Sequence, residues 1–217
     1  MTMAEIKHHL SDALLMGYAA GALPEAFSLV VATHVSLCDD CRARLGAFEA
    51  LGGAVVEEEA GIAMAEGSLE ATLRRIAGAP QAPDRARPRR RGPFPAPLAD
   101  YVGGGPEAVK WRGVAGGVKQ AILPTAKGAT VRLLSIPGGA AMPDHGHRGI
   151  ELTLVLQGAF RDETDRFGPG DVEVADEAVE HTPVAEPGST CICLAATDAP
   201  LRFTGLLPRL AQPFFRI

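Results

Sequence analysis

Gly139-Ala140-Ala141-Met142-Pro143-Asp144-His145-Gly146-His147-Arg148-Gly149-Ile150-Glu151-Leu152-Thr153-Leu154-Val155-Leu156-Gln157-Gly158 is the stretch on which the fold turns. In an extended strand, side chains at i and i+2 share a face, so His145 and His147 point the same way. Glu151 follows at an even offset and joins them if the strand continues past Gly149. Gly139 and Gly158 stand where turns would flank the segment. Around it, β-branched runs such as Val131–Ile136 and Leu152–Leu156 are punctuated by Gly, Pro and Asp. Several short strands with turn signals argue for an antiparallel sandwich or small barrel over residues 98–217. Phe167-Gly168-Pro169-Gly170-Asp171 reads as the turn before another strand, with His181 beyond it.

The spacing Gly-x5-His-x-His-x3-Glu-x6-Gly is similar to the first motif of the cupin superfamily at every position. The second cupin motif is matched in part: Pro169-Gly170 and His181 fit, but no Asn follows the histidine. The resemblance implies a jelly-roll barrel holding a metal through His145, His147, Glu151 and His181. Three imidazoles and one carboxylate suit zinc, iron, manganese or nickel. It also implies a rival function. Cupins with this ligand set include metal-dependent dioxygenases, some of them acetylacetone-cleaving, and isomerases. Beyond the ligands, no substrate-positioning arginine or general base stands out. Cys191 and Cys193 fall on one face of the strand Thr190–Leu194. They are either small buried hydrophobes or a redox pair, and the latter requires exposure and a lowered pKa.

The N-terminal third has a different period. Ser11 can cap a helix running to about Ala20, with Leu10, Leu14, Leu15 and Tyr18 on one side and Gly21 ending it. Pro24 suits the first turn of a second helix, carrying Phe27, Val30, Val31 and His34. A third starts near Cys38 or Asp39, carries Leu45, Phe48, Leu51 and Val55, and runs out at Glu57-Glu58-Glu59. A weaker fourth begins at Ser68, with Leu69, Leu73 and Ile76 on one side; it is either docked on the bundle or an arm that closes on a partner. Within Ala32–Cys41, His34, Cys38 and Cys41 share one face if the stretch is a single helix. Two thiolates and an imidazole suit zinc, and a fourth ligand must come from elsewhere. His8 and His9 are the only other histidines before residue 145.

Charge and composition divide the 217 residues further. Residues 1–77 carry 5 basic and 11 acidic side chains, net −6. Such a domain repels phosphates, so direct nucleic-acid binding is disfavoured and a basic protein partner fits better. Residues 78–97 are dense in Pro and Arg, net +4, and read as an extended linker. The tail Leu206–Phe215 is apolar enough to pack on the barrel. No apolar run approaches the roughly 20 residues that span a bilayer. The first residues lack the pattern of a signal peptide, so a cytoplasmic location is expected.

A zinc-binding helical domain ahead of a single cupin, with His34-x3-Cys38-x2-Cys41, resembles the ChrR-type zinc-binding anti-sigma factors along the whole chain. The resulting expectation is an α+β protein of two domains: a bundle of about four helices (1–77), the linker, and a cupin barrel (98–217). The resemblance implies that His9, His34, Cys38 and Cys41 form one zinc site and that His145, His147, Glu151 and His181 form the other. It implies a 1:1 complex with a group IV (extracytoplasmic-function) sigma factor, gripped by residues 1–77. The barrel is implied to release that partner under singlet oxygen or related oxidative stress. The implied role is regulation rather than catalysis.

Overall fold

Ser11 opens the first helix, its hydroxyl accepting the Leu14 N–H at 3.3 Å, and Gly21 closes it with a positive φ of 65°. The structure is a computed structural model that describes residues 5–79, 94–203 and 205. Five α-helices come first: α1 (Asp12–Ala19), α2 (Glu25–Val35), α3 (Asp39–Glu58), α4 (Ser68–Gly78) and α5 (Ala96–Val102). Twelve strands follow: β1 (Arg112–Gly113), β2 (Lys119–Leu123), β3 (Thr130–Ile136), β4 (His145–Gly146), β5 (Glu151–Gln157) and β6 (Phe160–Arg161), then β7 (Arg166–Phe167), β8 (Val172–Ala175), β9 (Glu180–His181), β10 (Val184–Ala185), β11 (Cys191–Thr197) and β12 (Arg202–Phe203). Helices then an antiparallel barrel is the expected α+β order. The expected linker and apolar tail fall largely outside the described residues, but Phe94 is buried and α5 already begins at Ala96, inside the span read as linker.

The long strands form an antiparallel sheet in the order β1-β2-β3-β11-β5-β8. Two three-stranded sheets, β10-β6-β7 and β12-β4-β9, complete the barrel. Strand β11 lies between β3 and β5 and is buried along almost its whole length. Its alternation feeds two cores. Cys191 and Cys193 join Val155, Phe160 and Phe167 inside the barrel, while Ile192, Leu194 and Ala196 face the helices. A sheet covered on both faces reads as an unbroken apolar run rather than an alternating one, which accounts for Cys-Ile-Cys-Leu-Ala-Ala.

What covers the outer face is α2. It packs on β11, β5 and β3, and its Phe27, Val30 and Val31 merge with Leu133, Leu152, Leu154 and Leu194 into one continuous core. Helix α5 packs beside it, and the Tyr101 hydroxyl lies 2.5 Å from Glu25 Oε1. The three-helix packing of α1, α2 and α3 is therefore joined to the sheet by shared apolar surface.

Two conditions set on the sequence are not met, while the third helix does start at Asp39 as expected. Ala32–Cys41 is not one helix: α2 ends at Val35, and α3 starts afresh at Asp39 behind Cys38, which is extended and accepts the Cys41 N–H on its sulfur. Asp39 and Asp40 favour a new helix N-terminus at that point. Nor does one strand run from His145 to Glu151. β4 stops at Gly146, and the chain turns through Gly149, where any side chain would collide with Asp198. The Asp198 carboxylate then accepts the Ile150 N–H at 2.9 Å, starting β5 in a new direction.

Candidate metal centres

The helical cluster is assembled from three chain segments. His9 comes from the arm before α1, His34 from the last turn of α2, and Cys38 and Cys41 from the cap and first turn of α3. Their donor atoms lie within 4.8 Å of one another. His9 Nδ1 is 3.2 Å from Cys38 Sγ and 3.7 Å from Cys41 Sγ, and His34 Nε2 is 3.3 Å from Cys41 Sγ. Tetrahedral zinc with its usual bond lengths sets N···S edges of about 3.5 Å, so the donor set fits a divalent metal. The neighbour His8 turns the other way, toward Asp165 at 3.2 Å and the ring of Phe167.

Protonation follows from burial. His34 Nδ1 donates to the carbonyl of Gly170 at 3.0 Å, which leaves Nε2 as the lone pair facing the cysteines. Burial lowers its pKa to about 4, so the ring is neutral, as a ligand must be. Burial raises the Cys41 thiol to about 11, with Cys38 adding to the effect. A cation among these groups reverses the balance by favouring thiolate.

The barrel cluster joins β4 to β9. His145 and His181 are directly paired in register, and His147 follows two residues after His145. His145 Nε2 is 3.2 Å and His147 Nε2 3.3 Å from His181 Nε2. His145 Nδ1 donates to the Pro143 carbonyl at 2.8 Å; His181 Nδ1 lies 2.8 Å from Asp162 Oδ2 and 3.0 Å from Glu173 Oε1. With both Nδ1 positions committed outward, His145 and His181 would, as neutral rings, aim two lone pairs at each other. Only a proton or a metal cation between them relieves that repulsion, so this donor set also fits a metal. Although burial opposes it, the two carboxylates push His181 up to about 9. Burial itself raises Glu173 to about 7.

The chain is 66% identical over 212 residues to the anti-sigma-E factor ChrR of Cereibacter sphaeroides, covering 98% of this chain and 99% of that one. The chain belongs to the ChrR family of anti-sigma factors. Residues 102–200 match the ChrR cupin-like domain. The crystal structure of Rhodobacter sphaeroides SigE in complex with the anti-sigma ChrR is also similar. It is 63% identical, covers 89% of this chain and 100% of that chain, and superposes with a TM-score of 0.78. The ChrR family is one of transcription regulators, not enzymes.

Within this ChrR-family chain, seven of the eight residues expected as ligands converge in two groups. Glu151 does not enter the histidine trio; it accepts from the Thr153 hydroxyl at 3.1 Å and lines the same cavity as His145. That cavity, about 600 Å³, is largely apolar, with Met142, Phe160, Leu201 and Phe203 among its walls. Asp162 and Glu173, the carboxylates behind His181, were missed. Glu173 sits two residues after Asp171 in a strand entered by a Gly-Asp turn, and that register could have flagged it. Cys191 and Cys193 are buried with sulfurs 3.5 Å apart, and their contact, with burial, raises the Cys193 thiol well above its usual range. A redox pair requires exposure and a lowered pKa; both sulfurs are buried, and the Cys193 thiol moves the opposite way. No described helix is long and apolar enough to cross a membrane.

Proposed function

We propose that this chain sequesters a group IV (extracytoplasmic-function) sigma factor as a 1:1 heterodimer in the cytoplasm, and releases it through the barrel under singlet oxygen or related oxidative stress. The observation that carries the reading is apolar surface on the helices that stays exposed among the described residues. Leu51, Val55 and Val56 on the second half of α3, Ile62 and Met64 after it, and Leu69, Leu73 and Ile76 on α4 are all more than half exposed. None of α4 is buried. Large apolar side chains left exposed along two successive helices are the kind of surface that a protein partner covers. The net −6 of residues 1–77 adds charge complementarity toward a basic partner, which raises association rate and selectivity. The solved relative described above is a complex with SigE, a sigma factor.

In this reading residues 1–77 grip the partner, 78–97 link, and 98–217 respond. His9, His34, Cys38 and Cys41 would hold zinc, a metal that at such a site supplies cross-linking rather than chemistry. His145, His147 and His181, with Glu151 on the cavity wall, would hold a second ion, zinc or else iron, manganese or nickel. The residues themselves bring the arm, α2 and α3 to one point and so set the angle at which α3 presents its apolar half.

The test is co-expression of the full chain with extracytoplasmic-function sigma factors, the SigE of the solved relative among them, then co-purification and metal analysis. A stoichiometric complex is expected, with Leu69→Asp/Leu73→Asp weakening it by about 100-fold, the scale of two interface anchors, and leaving the melting temperature unmoved. Failure to bind any sigma factor, or full binding by the double variant, overturns the reading.

A further inference from the structure

The two clusters are bridged by four consecutive residues. The carbonyl of Gly170 accepts the Nδ1 proton of His34 at 3.0 Å. The buried carboxylate of Asp171 accepts the backbone N–H groups of Lys7 at 2.7 Å and His8 at 3.0 Å, the two residues that lead into His9. Val172 N–H donates to the carbonyl of His8 at 3.3 Å. Glu173 Oε1 lies 3.0 Å from His181 Nδ1 in the barrel trio. From Gly170 to Glu173 is a span of about 10 Å of extended chain. Both histidines of the helical cluster are thus held in place by residues of the barrel, and the same short segment ends on a histidine of the other cluster.

We propose that Gly170–Glu173 couples the two clusters, so that a change at the barrel histidines alters how firmly the helical cluster holds its metal. The inference rests on both clusters being metal sites, as proposed above. The bistable element is the docking of the arm Ile6–His9 on the turn Gly168–Asp171. Docked, Asp171 fixes the arm, Gly170 fixes the tautomer and tilt of His34, and Ile6 packs over Gly170, close enough that a side chain at 170 would clash with it. Undocked, His9 and His34 lose these supports while Cys38 and Cys41 keep theirs. Groups that orient metal-binding histidines change affinity by about 10–100-fold when removed. Asp171 and Glu173 are positioning residues: neither faces the helical donors, and each acts through a neighbour. Coupling between two equilibria is reciprocal, so filling the helical cluster must tighten the barrel cluster by the same factor.

Cobalt(II) provides a selective probe, because thiolate-to-cobalt charge transfer reports the helical cluster while the barrel trio offers nitrogen donors. The full chain is loaded with cobalt, its stoichiometry measured, and loss of the charge-transfer band followed after addition of excess chelator. In Asp171→Asn the band is expected to decay about 10–100-fold faster than in the wild type. In Glu173→Gln, which touches only the barrel cluster, about tenfold faster decay and a shifted band are expected. The double variant should decay no faster than Asp171→Asn alone, since both changes break one path. Where Asp171→Asn does not fold, Ile6→Ala loosens the same docking and takes its place. An unchanged rate in Glu173→Gln, or effects that simply multiply in the double variant, overturns the coupling while two bound cobalt ions leave the metal sites standing. A chain that shows no thiolate–cobalt band overturns the metal reading and the coupling with it.

Discussion

The helical cluster mixes two thiols with two imidazoles and closes on itself, whereas the barrel cluster gathers three imidazoles beside a cavity of about 600 Å³. Four donors drawn from three segments make a cross-link, the arrangement of structural zinc. In the barrel, of the three imidazoles only His145 reaches the cavity wall, where Glu151 stands apart from the trio. Burial also acts differently. In the helical cluster it keeps His34 neutral and disfavours thiolate until a cation arrives. In the barrel, Asp162 and Glu173 place negative charge behind His181, which raises its basicity. One cluster ties three chain segments together, while the other borders an internal cavity.

The sharpest way to break this comparison is to remove sulfur. Replacing Cys38 and Cys41 with Ser should abolish metal binding at the helical cluster, where zinc binding supplies about 10–16 kcal/mol in small structural sites. Loss of the helical circular dichroism from α1–α3 and loss of sigma-factor binding are the expected outcome, while the barrel metal remains. Retained helicity and full inhibition in the metal-free double variant would show that the shared core with the sheet, rather than zinc, holds the bundle.

His147→Ala should do the reverse. It removes one donor from a trio, so metal analysis should fall from two equivalents to one. The sigma factor should remain bound in unstressed conditions, because the helical site keeps its four donors and stays filled at equilibrium. Release under singlet oxygen should then be lost. A complex that still dissociates normally on illumination with a photosensitiser would place the response outside the barrel.

How far this contrast was legible in the sequence depended on chain distance. His145-x-His147 and His34-x3-Cys38-x2-Cys41 are local spacings, and they located both clusters even though helix and strand break inside them at Cys38 and Gly149. His9 could be singled out from His8 only by family resemblance, since adjacent residues differ merely in which way they turn. What was not legible is tertiary. His34 is oriented by Gly170, 136 positions away, and nothing near either residue announces it. The laying of α2 across the sheet was hidden too, because an apolar helix face does not say whether it meets other helices or strands. Strand β11 carried a hint, since a run buried on both faces needs a cover. Helix α5 was passed over because its seven residues follow the Pro-rich segment, where propensity argues for loop.

The smallest predicted effect tests whether the barrel cluster is supported from its exposed side. Glu186 bridges Arg166 and Arg161, each at 2.9 Å, and these arginines sit on β7 and β6, the strands flanking the loop that carries Asp162. Arg166 first, then Arg161, lowers the Glu186 carboxyl from 4.5 to about 2. A group whose folded-state pKa is depressed stabilises fully above its unfolded value and ceases to do so as pH falls toward the folded one. Wild type should therefore be more stable than Glu186→Gln above pH 4.5, and the two should converge as pH approaches about 2. Both arginines are solvent-exposed, so the difference should stay under about 1 kcal/mol and shrink in high salt. Paired thermal melts across that range measure it, the difference between the proteins being the readout. A larger loss, with reduced occupancy of the barrel metal, would mean that the surface clamp sets the Asp162–His181 geometry. That would make the barrel cluster as dependent on its outer scaffold as the helical cluster is on the sheet.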